Sequence, residues 1–569
     1  MMKVYEAIAQ FLISKEVPRI FGLCGGHIQP LWDEIARRGL KLVDVRDEKA
    51  AVHMAQAQAE LTGKPGVALV TAGPGMTNAV TGIANAFVSR VPVVVLTGST
   101  PRPQRGKGAL QEIEQVEIVR AVTRAAQRID APESAVKALA DAFAIAEGCL
   151  NEPGPAFVDF PTDVLRSSIP QADIDLAGFQ SRPHSFGTVG TKSARKAADL
   201  IWSAKRPVVI TGRGAKSAGR EIVKMLDRVG CVYLDTAESK GLVPAGHPAF
   251  VPSMRARAMT EADLVITIGR SLDYQLAYGS RAVFKNAGFV RIGAFEAEVQ
   301  KNRRGEAEIS GPIRETMGAI LKAADDRRPS VDSGWITALR REDRKRRSAL
   351  ENKLQTAPPG RDGGMHPYRL LGAVKKALAP DAVVVADGGD ILSFARQVFS
   401  EWTYLDSGPF GCLGVGAPYG ISAALTFPER QVVVVTGDGA FGFNAMELDT
   451  CRRHGARVVF VVANNAAWNI ERHDQLLNYQ GRLVGVDLEK CDYAALAGSL
   501  GVQGVRVTDP EGLPDALKNA FELAPSLLDV SVTRDAPSPD FLSGIAGVPD
   551  LQALTKWDEM EAGLSGEKG

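Results

Sequence analysis

The chain is short of the features that mark secreted, membrane-bound and nucleic-acid-binding proteins. Its six cysteines (Cys24, Cys149, Cys231, Cys412, Cys451, Cys491) are scattered over 569 residues, with no CxxC pair. That excludes a zinc ribbon or a disulfide framework and suits a reducing compartment. No apolar run approaches the roughly 18 residues that a membrane span requires. Met1–Lys15 also lacks the basic segment and long apolar run of a secretory signal. The 67 basic and 66 acidic side chains leave a net charge of +1, so no excess of one sign points to nucleic acid or an anionic membrane. These absences predict a soluble cytoplasmic protein without a secretory signal. With 569 residues and 45% hydrophobic content, the chain can bury more than one core, and its length suggests three or four domains.

What the chain does have is concentrated near its carboxyl end. The Val-rich run Gln431–Val435 is too short for a helix and reads as a buried parallel strand. Thr436-Gly437-Asp438-Gly439-Ala440 follows, then a helical stretch Asn444–His454 and a second buried strand, Arg457–Ala463, ending in Asn464-Asn465. Gly437 and Gly439 allow a sharp turn that brings backbone N–H groups close to an anion. Asp438 and Asn465, 27 residues apart, stand at the carboxyl ends of two strands. An acidic oxygen and an amide oxygen meeting there can hold a hard cation against a diphosphate. A Gly-Asp-Gly turn alone fits any βαβ unit, but two adjacent Asn at one prescribed position arise by chance only about once in several hundred trials.

The rest of the chain reads as α/β throughout: three consecutive doubly wound parallel-sheet domains over 1–175, 190–345 and 365–535, followed by a tail over 536–569. In the first domain, strands Arg19–Leu23, Lys41–Val45, Gly66–Thr71, Val91–Thr97 and Pro153–Asp159 alternate with helices. The composition turns loop-like around Ser181–Thr191. The second domain has strands Pro207–Thr211, Leu264–Gly269 and Val290–Gly293. Its Gly212-Arg213-Gly214 turn lacks a third glycine, since Ser217 stands there, and reads as packing in preference to a nucleotide site. Arg340–Lys353 reads as a solvated charged helix, and Gln355–Pro367 as a linker. Strand Ala382–Ala386 and the loop Asp387-Gly388-Gly389-Asp390 open the third domain, and Leu527–Thr533 is its last strand. The tail mixes loop with a short polar helix containing Trp557, able to fold over another part of the molecule.

The joint Gly-Asp-Gly and Asn-Asn signal resembles the thiamine-diphosphate-dependent enzymes. The likeness covers nearly the whole chain as pyrimidine-binding, central and diphosphate-binding domains. It implies that Glu48, at the end of an early strand, is the carboxyl that activates the cofactor through its pyrimidine; read alone, Glu48 is a surface or cap carboxylate. It implies magnesium held by Asp438, Asn465 and the backbone carbonyl of Ala467, together with two phosphates and a water. By the same resemblance Gly389, Asp390, Ile391, Gly437, Gly439 and Ala440 belong to the diphosphate side. The Gly411 carbonyl meets the 4′-amino group, and Leu413 bends the cofactor; read alone, Leu413 is simply core. Family members share each cofactor between two subunits, which implies a homodimer or homotetramer.

Within the family, Gly108-Ala109-Leu110-Gln111-Glu112 resembles a loop of acetolactate synthases and 2-hydroxyacyl-CoA lyases that brings Gln111 to the reacting carbonyl. Gly25-Gly26-His27-Ile28 resembles benzaldehyde lyase and makes His27 a proton-transfer candidate, whereas His53 reads as packing. The Gly437–Phe443 stretch with Met446-Glu447, and Phe410-Gly411, are similar to 2-hydroxyacyl-CoA lyase and oxalyl-CoA decarboxylase. Asp474 stands where acetolactate synthases carry a substrate-selecting tryptophan. Arg291-Ile292-Gly293-Ala294-Phe295 departs from the acidic strand end expected for bound ADP or FAD. The resemblance thus implies a lyase that cleaves 2-hydroxyacyl-CoA to formyl-CoA and an aldehyde or ketone. The alternatives are a carboligase acting on 2-ketoacids or 2-hydroxyketones and a non-catalytic cofactor-binding homologue.

Overall fold

Strands rich in valine and isoleucine, each followed by a glycine turn and a helix, build three parallel sheets in the computed structural model, which describes residues 1–149, 152–170, 190–543 and 563. The first sheet comprises β1 (Arg19–Gly22), β2 (Lys41–Asp44), β3 (Gly66–Val70), β4 (Val93–Ser99), β5 (Ala125–Arg128) and β6 (Ala156–Pro161), in the order β2-β1-β3-β4-β6-β5. The central sheet comprises β7 (Pro207–Thr211), β8 (Val232–Leu234), β9 (Leu264–Ile268), β10 (Gly288–Gly293) and β11 (Ala307–Ser310), in the order β8-β7-β9-β10-β11. The third comprises β12 (Val383–Asp387), β13 (Thr403–Leu405), β14 (Val432–Gly437), β15 (Val458–Asn464), β16 (Gln503–Val507) and β17 (Ser526–Ser531), in the order β13-β12-β14-β15-β17-β16. The first and third sheets therefore share one strand order.

Each sheet reverses its direction of winding once: between β1 and β3, between β7 and β9, and between β12 and β14. In open α/β sheets the crevice at that reversal, outside the carboxyl ends of the strands, is where ligands bind. The reversal point of the third sheet lies between the Gly388–Asp390 loop and the Gly437-Asp438 turn.

The first and third domains share one core. The helix Glu48–Thr62, EKAAVHMAQAQAELT, buries Ala50 through Ala59 on every side, and its run of alanines lets neighbours approach all round it. The first sheet lies on one side and the helix Gly416–Thr426 on the other, within one hydrophobic cluster. Across that contact the Ser422 hydroxyl donates to the Met54 carbonyl at 2.7 Å, and Asn85 donates to the Tyr419 hydroxyl at 3.1 Å. The charged helix runs over Ser333–Thr356 and is not merely a solvated face. Leu339 and Asp343 are buried, and Arg346, Arg347 and Lys353 line a cavity between the central and third domains. Among the described residues no helix is long and apolar enough to cross a membrane. Most of the tail over 536–569, Trp557 included, lies outside the described residues, as does most of the loop-like stretch Ser181–Thr191.

Candidate active site

The strand ends of the first sheet gather Glu48, Gln111 and His27. Asp47 caps the helix Glu48–Thr62 by accepting from the Lys49 N–H at 2.8 Å, so Glu48 opens the first turn and is itself buried. Its Oε2 accepts from Asn78 Nδ2 at 3.0 Å. Its Oε1 lies so close to Gly75 that a Cβ there would sit 3.1 Å away. Gln111 adopts φ 61°, an uncommon left-handed backbone for a residue with a side chain, and its carbonyl packs against Gly73. The Gln111 side chain stands close enough to the His27 imidazole to act on its titration. Burial pulls the His27 imidazole below its ordinary value, opposed by the Gln111 amide and by the Asp159 charge; its Nδ1 is buried without a partner. The two residues that the sequence assigns to substrate handling thus stand side by side.

The third sheet gathers the second group. Asp438 starts a short helix at the end of β14 and is buried. Burial raises its carboxyl to about 6, against the opposing backbone N–H groups of Asn465, Gly439 and Ala467. Asn465 Oδ1 accepts from the Ala467 N–H at 3.1 Å, which folds the Asn-Asn turn back towards Asp438. Gly439 is a steric necessity, because a Cβ there would sit 2.5 Å from the Trp468 ring. Asp390 accepts from Asn469 Nδ2 at 3.0 Å, and the Ser538 hydroxyl lies close enough to act on its titration. Burial and the nearby Asp438 raise it to about 6, and its Oδ1 has no partner. Ile391 packs beside Gly437, and Gly389 lies against Ile470. Gly411 has φ 69° and is exposed at the turn before half-buried Leu413, while Ala440 is buried.

Three supporting residues carried no role in the sequence reading. Asp387 is buried and accepts from the N–H groups of Gly388, Gly414 and Gly416, at 2.7, 3.2 and 2.8 Å, fixing the loop that holds Gly411 and Leu413 to the diphosphate-side loop. Ser538 carries the start of the tail back onto Asp390, and the Asp540 N–H donates to Ser393 Oγ at 2.8 Å. Asn78 holds Glu48. The first stands beside a motif already read; the other two are distant in sequence from their partners, and no local pattern announces them. His53 is buried against Tyr419, 3.9 Å from Cys412, as the packing reading expects.

Among the described residues no hydrogen bond or ion pair joins Glu48, Gln111 or His27 to Asp438, Asp390 or Asn465 of the same chain. Nor do three His, Cys, Asp or Glu side chains gather there as a metal cage. One carboxylate, one amide oxygen and backbone carbonyls suit a hard cation that takes its remaining oxygens from a ligand.

The central reversal point is filled by the chain itself. Gly212 and Gly214 press directly on Gly269. Arg270, 1% exposed, pairs with Asp273 at 2.7 Å and Glu238 at 3.6 Å; Arg213 pairs with Glu60 of the first domain at 2.8 Å. Arg90 pairs with Glu298 at 2.8 Å. Arg291 spends its guanidinium on the carbonyls of Lys301, Arg303 and Glu298.

Two parallel-sheet domains share one strand order; one carries a buried acid at its reversal point with an amide at the end of the next strand, and the other a buried glutamate after a strand beside its own, the arrangement of an α/β enzyme with a ligand crevice. Family models agree in order along the chain: thiamine pyrophosphate enzyme N-terminal TPP binding domain over residues 2–118, central domain over 194–320 and C-terminal TPP binding domain over 387–530. The chain belongs to the thiamine-pyrophosphate-dependent enzymes, as a C–C lyase or carboligase. It is 30% identical to 2-hydroxyacyl-CoA lyase 2 of Caenorhabditis elegans, over 89% of this chain and 84% of that protein. It is 32% identical to a probable acetolactate synthase of Mycobacterium bovis, over 91% and 94%, and 29% identical to human 2-hydroxyacyl-CoA lyase 1, over 93% and 94%.

Proposed function

We propose that the protein is a thiamine-diphosphate- and magnesium-dependent lyase that cleaves a 2-hydroxyacyl-CoA to formyl-CoA and an aldehyde or ketone, and runs the same step in reverse as a carboligase. The observation that carries the acyl-CoA reading is the cavity of about 630 Å³ between the central and third domains. Seven Lys and Arg side chains line it against four carboxylates. Burial pulls Arg255 down to about 10 and lowers Lys240 as well, so an incoming phosphate group would relieve both. Ser393 and Arg396, on the helix that begins at Asp390, form part of its wall. A nucleotide tail seated there would lie beside the diphosphate side of the site.

When bound, thiamine diphosphate supplies the carbanion that attacks a carbonyl and the sink for the electron pair of the broken C–C bond. Glu48 would hold a proton at the pyrimidine, with Asn78 fixing its orientation. Asp438, Asn465 and the Ala467 carbonyl would bind magnesium; Gly389, Asp390, Ile391, Gly437, Gly439 and Ala440 would line the diphosphate; the Gly411 carbonyl and Leu413 would orient the rings. Gln111 and His27, side by side, would bind the substrate oxygen and carry its proton. A second copy would complete the site in a homodimer or homotetramer, with Glu48 from one chain and Asp438 from the other. The filled central crevice supports a central domain without ADP or FAD. The free cysteines support a reducing cytoplasm.

Incubation with a 2-hydroxyacyl-CoA, thiamine diphosphate and magnesium should release formyl-CoA. Absence of formyl-CoA, with pyruvate consumed and acetolactate formed, would instead establish the carboligase reading that the mycobacterial relative favours.

A further inference from the structure

The turn that presents Glu48 is gripped by the third domain of the same chain. Glu447 opens the helix Glu447–Arg453, nine residues beyond Asp438, and is 1% exposed. Its Oε1 accepts from the backbone N–H groups of Arg46 and Asp47, at 3.0 and 3.2 Å, and its Oε2 accepts from the Thr450 hydroxyl at 2.6 Å. Around it, Arg46 pairs with Asp449 at 3.2 Å, and Asp44 receives both Arg453 and His454. Beside the turn, the Lys49 ammonium lies over the Phe443 ring at 5.6 Å. A buried carboxyl persists only where its hydrogen bonds are met. Here they are met by the two amides that immediately precede Glu48, so the rigidity of this turn is set from another domain.

We propose that Glu447 is a positioning residue: it clasps the Arg46-Asp47 turn and thereby fixes the direction in which Glu48 projects. The inference rests on the reading of Glu48 as the cofactor's activator. It also links the loop that would hold metal and diphosphate, through nine residues of its own chain, to a carboxyl that would serve a different copy's cofactor in the two-chain arrangement. Asp47 keeps its separate role as helix cap, so loss of the clasp should loosen the turn without unwinding the helix behind it.

The test compares wild type with Glu447→Ala, Glu447→Asp and Glu447→Gln. Asp retains the charge but falls one methylene short; Gln retains the reach and an acceptor oxygen without the charge. Three quantities are measured: hydrogen exchange at Arg46 and Asp47 in the cofactor-free protein, thiamine diphosphate affinity by calorimetry with magnesium, and turnover. In Glu447→Ala and Glu447→Asp, exchange at the two amides should accelerate by at least about tenfold. The turnover number should fall roughly ten- to a hundredfold, while affinity changes by less than about threefold, because the diphosphate is held elsewhere. Glu447→Gln should recover most of the protection and of the turnover. Unchanged exchange in Glu447→Asp, or full turnover in either short variant while Glu48→Gln is inactive, overturns the clasp. Turnover surviving in Glu48→Gln overturns the reading of Glu48 and the positioning role with it; the exchange data tell the two failures apart.

Discussion

Glu48 and Glu447 are buried carboxyls about which opposite demands are made. Glu48 should exchange a proton with a ligand, so Glu48→Gln should fold normally and bind cofactor within a few-fold of wild type. Its turnover should fall roughly 10²- to 10⁴-fold, the usual range for a lost acid–base group. Steady-state kinetics alongside calorimetry checks this; near-normal turnover contradicts it. Glu447 should instead resist ionisation, since burial holds it up at about 7 against an ordinary 4.5. As its pKa is raised in the fold, the folded chain keeps a proton that the unfolded chain gives up. Stability from this group is therefore present below about pH 4.5 and is lost as the pH rises through 7, by at most about 3 kcal/mol. Glu447→Gln does not titrate, so urea unfolding should find it gaining on wild type between pH 5 and pH 8. A difference that does not change with pH would contradict this.

At the scale of the element, the Gly-Asp-Gly turn is as constrained as its sequence suggests. Gly439→Ala would drive a Cβ into the Trp468 ring, an overpacking cost of about 1–3 kcal/mol that must shift either the turn or the indole. Thermal unfolding should show the loss, and calorimetry should show weakened thiamine diphosphate binding; unchanged affinity would mean that the turn does not touch the diphosphate. The same physics explains which elements could be read from sequence. Strands flanked on both sides, such as β14 and β15, are unbroken apolar runs and were legible to within a residue or two. Within the three parallel sheets, the strands that went unread, β5, β8, β11, β13 and β16, all lie at sheet edges. β5 is only half-buried along its length, and β16 buries only Val507 and exposes Gln503 and Arg506; β8 and β13 have three residues each. An edge strand borrows its order from a neighbour and needs no hydrophobic run of its own. Asp438 and Asn465 were visible because turn chemistry is local; Gln111 and His27 were named separately from the family resemblance, and their proximity was not visible. Asn78, Ser538 and the grip of Glu447 on the Arg46-Asp47 turn were not, because each is set by a partner tens or hundreds of residues away.

Across the whole molecule, the domains are joined by charge as well as by the shared core. Glu60 of the first domain and Arg213 of the central domain meet at 2.8 Å, with side chains 7% and 19% exposed. Without Glu60, Arg213 keeps only the longer pair with Glu238 at 3.8 Å, so Glu60→Ala should cost about 1.5–3 kcal/mol, the worth of a charged hydrogen bond, seen as a lower unfolding midpoint without loss of cofactor affinity. A cost below about 1 kcal/mol would show that the joint contributes little. The larger arrangement, Glu48 from one copy acting with Asp438 and Asn465 from another, is the claim on which the rest stands. It is tested most directly by co-producing differently tagged Glu48→Gln and Asp438→Ala chains and purifying the mixed dimer. One of its two sites would carry both substitutions and the other neither, so turnover should return to about half that of wild type although each parent is inactive. A mixed dimer as inactive as its parents would contradict the account.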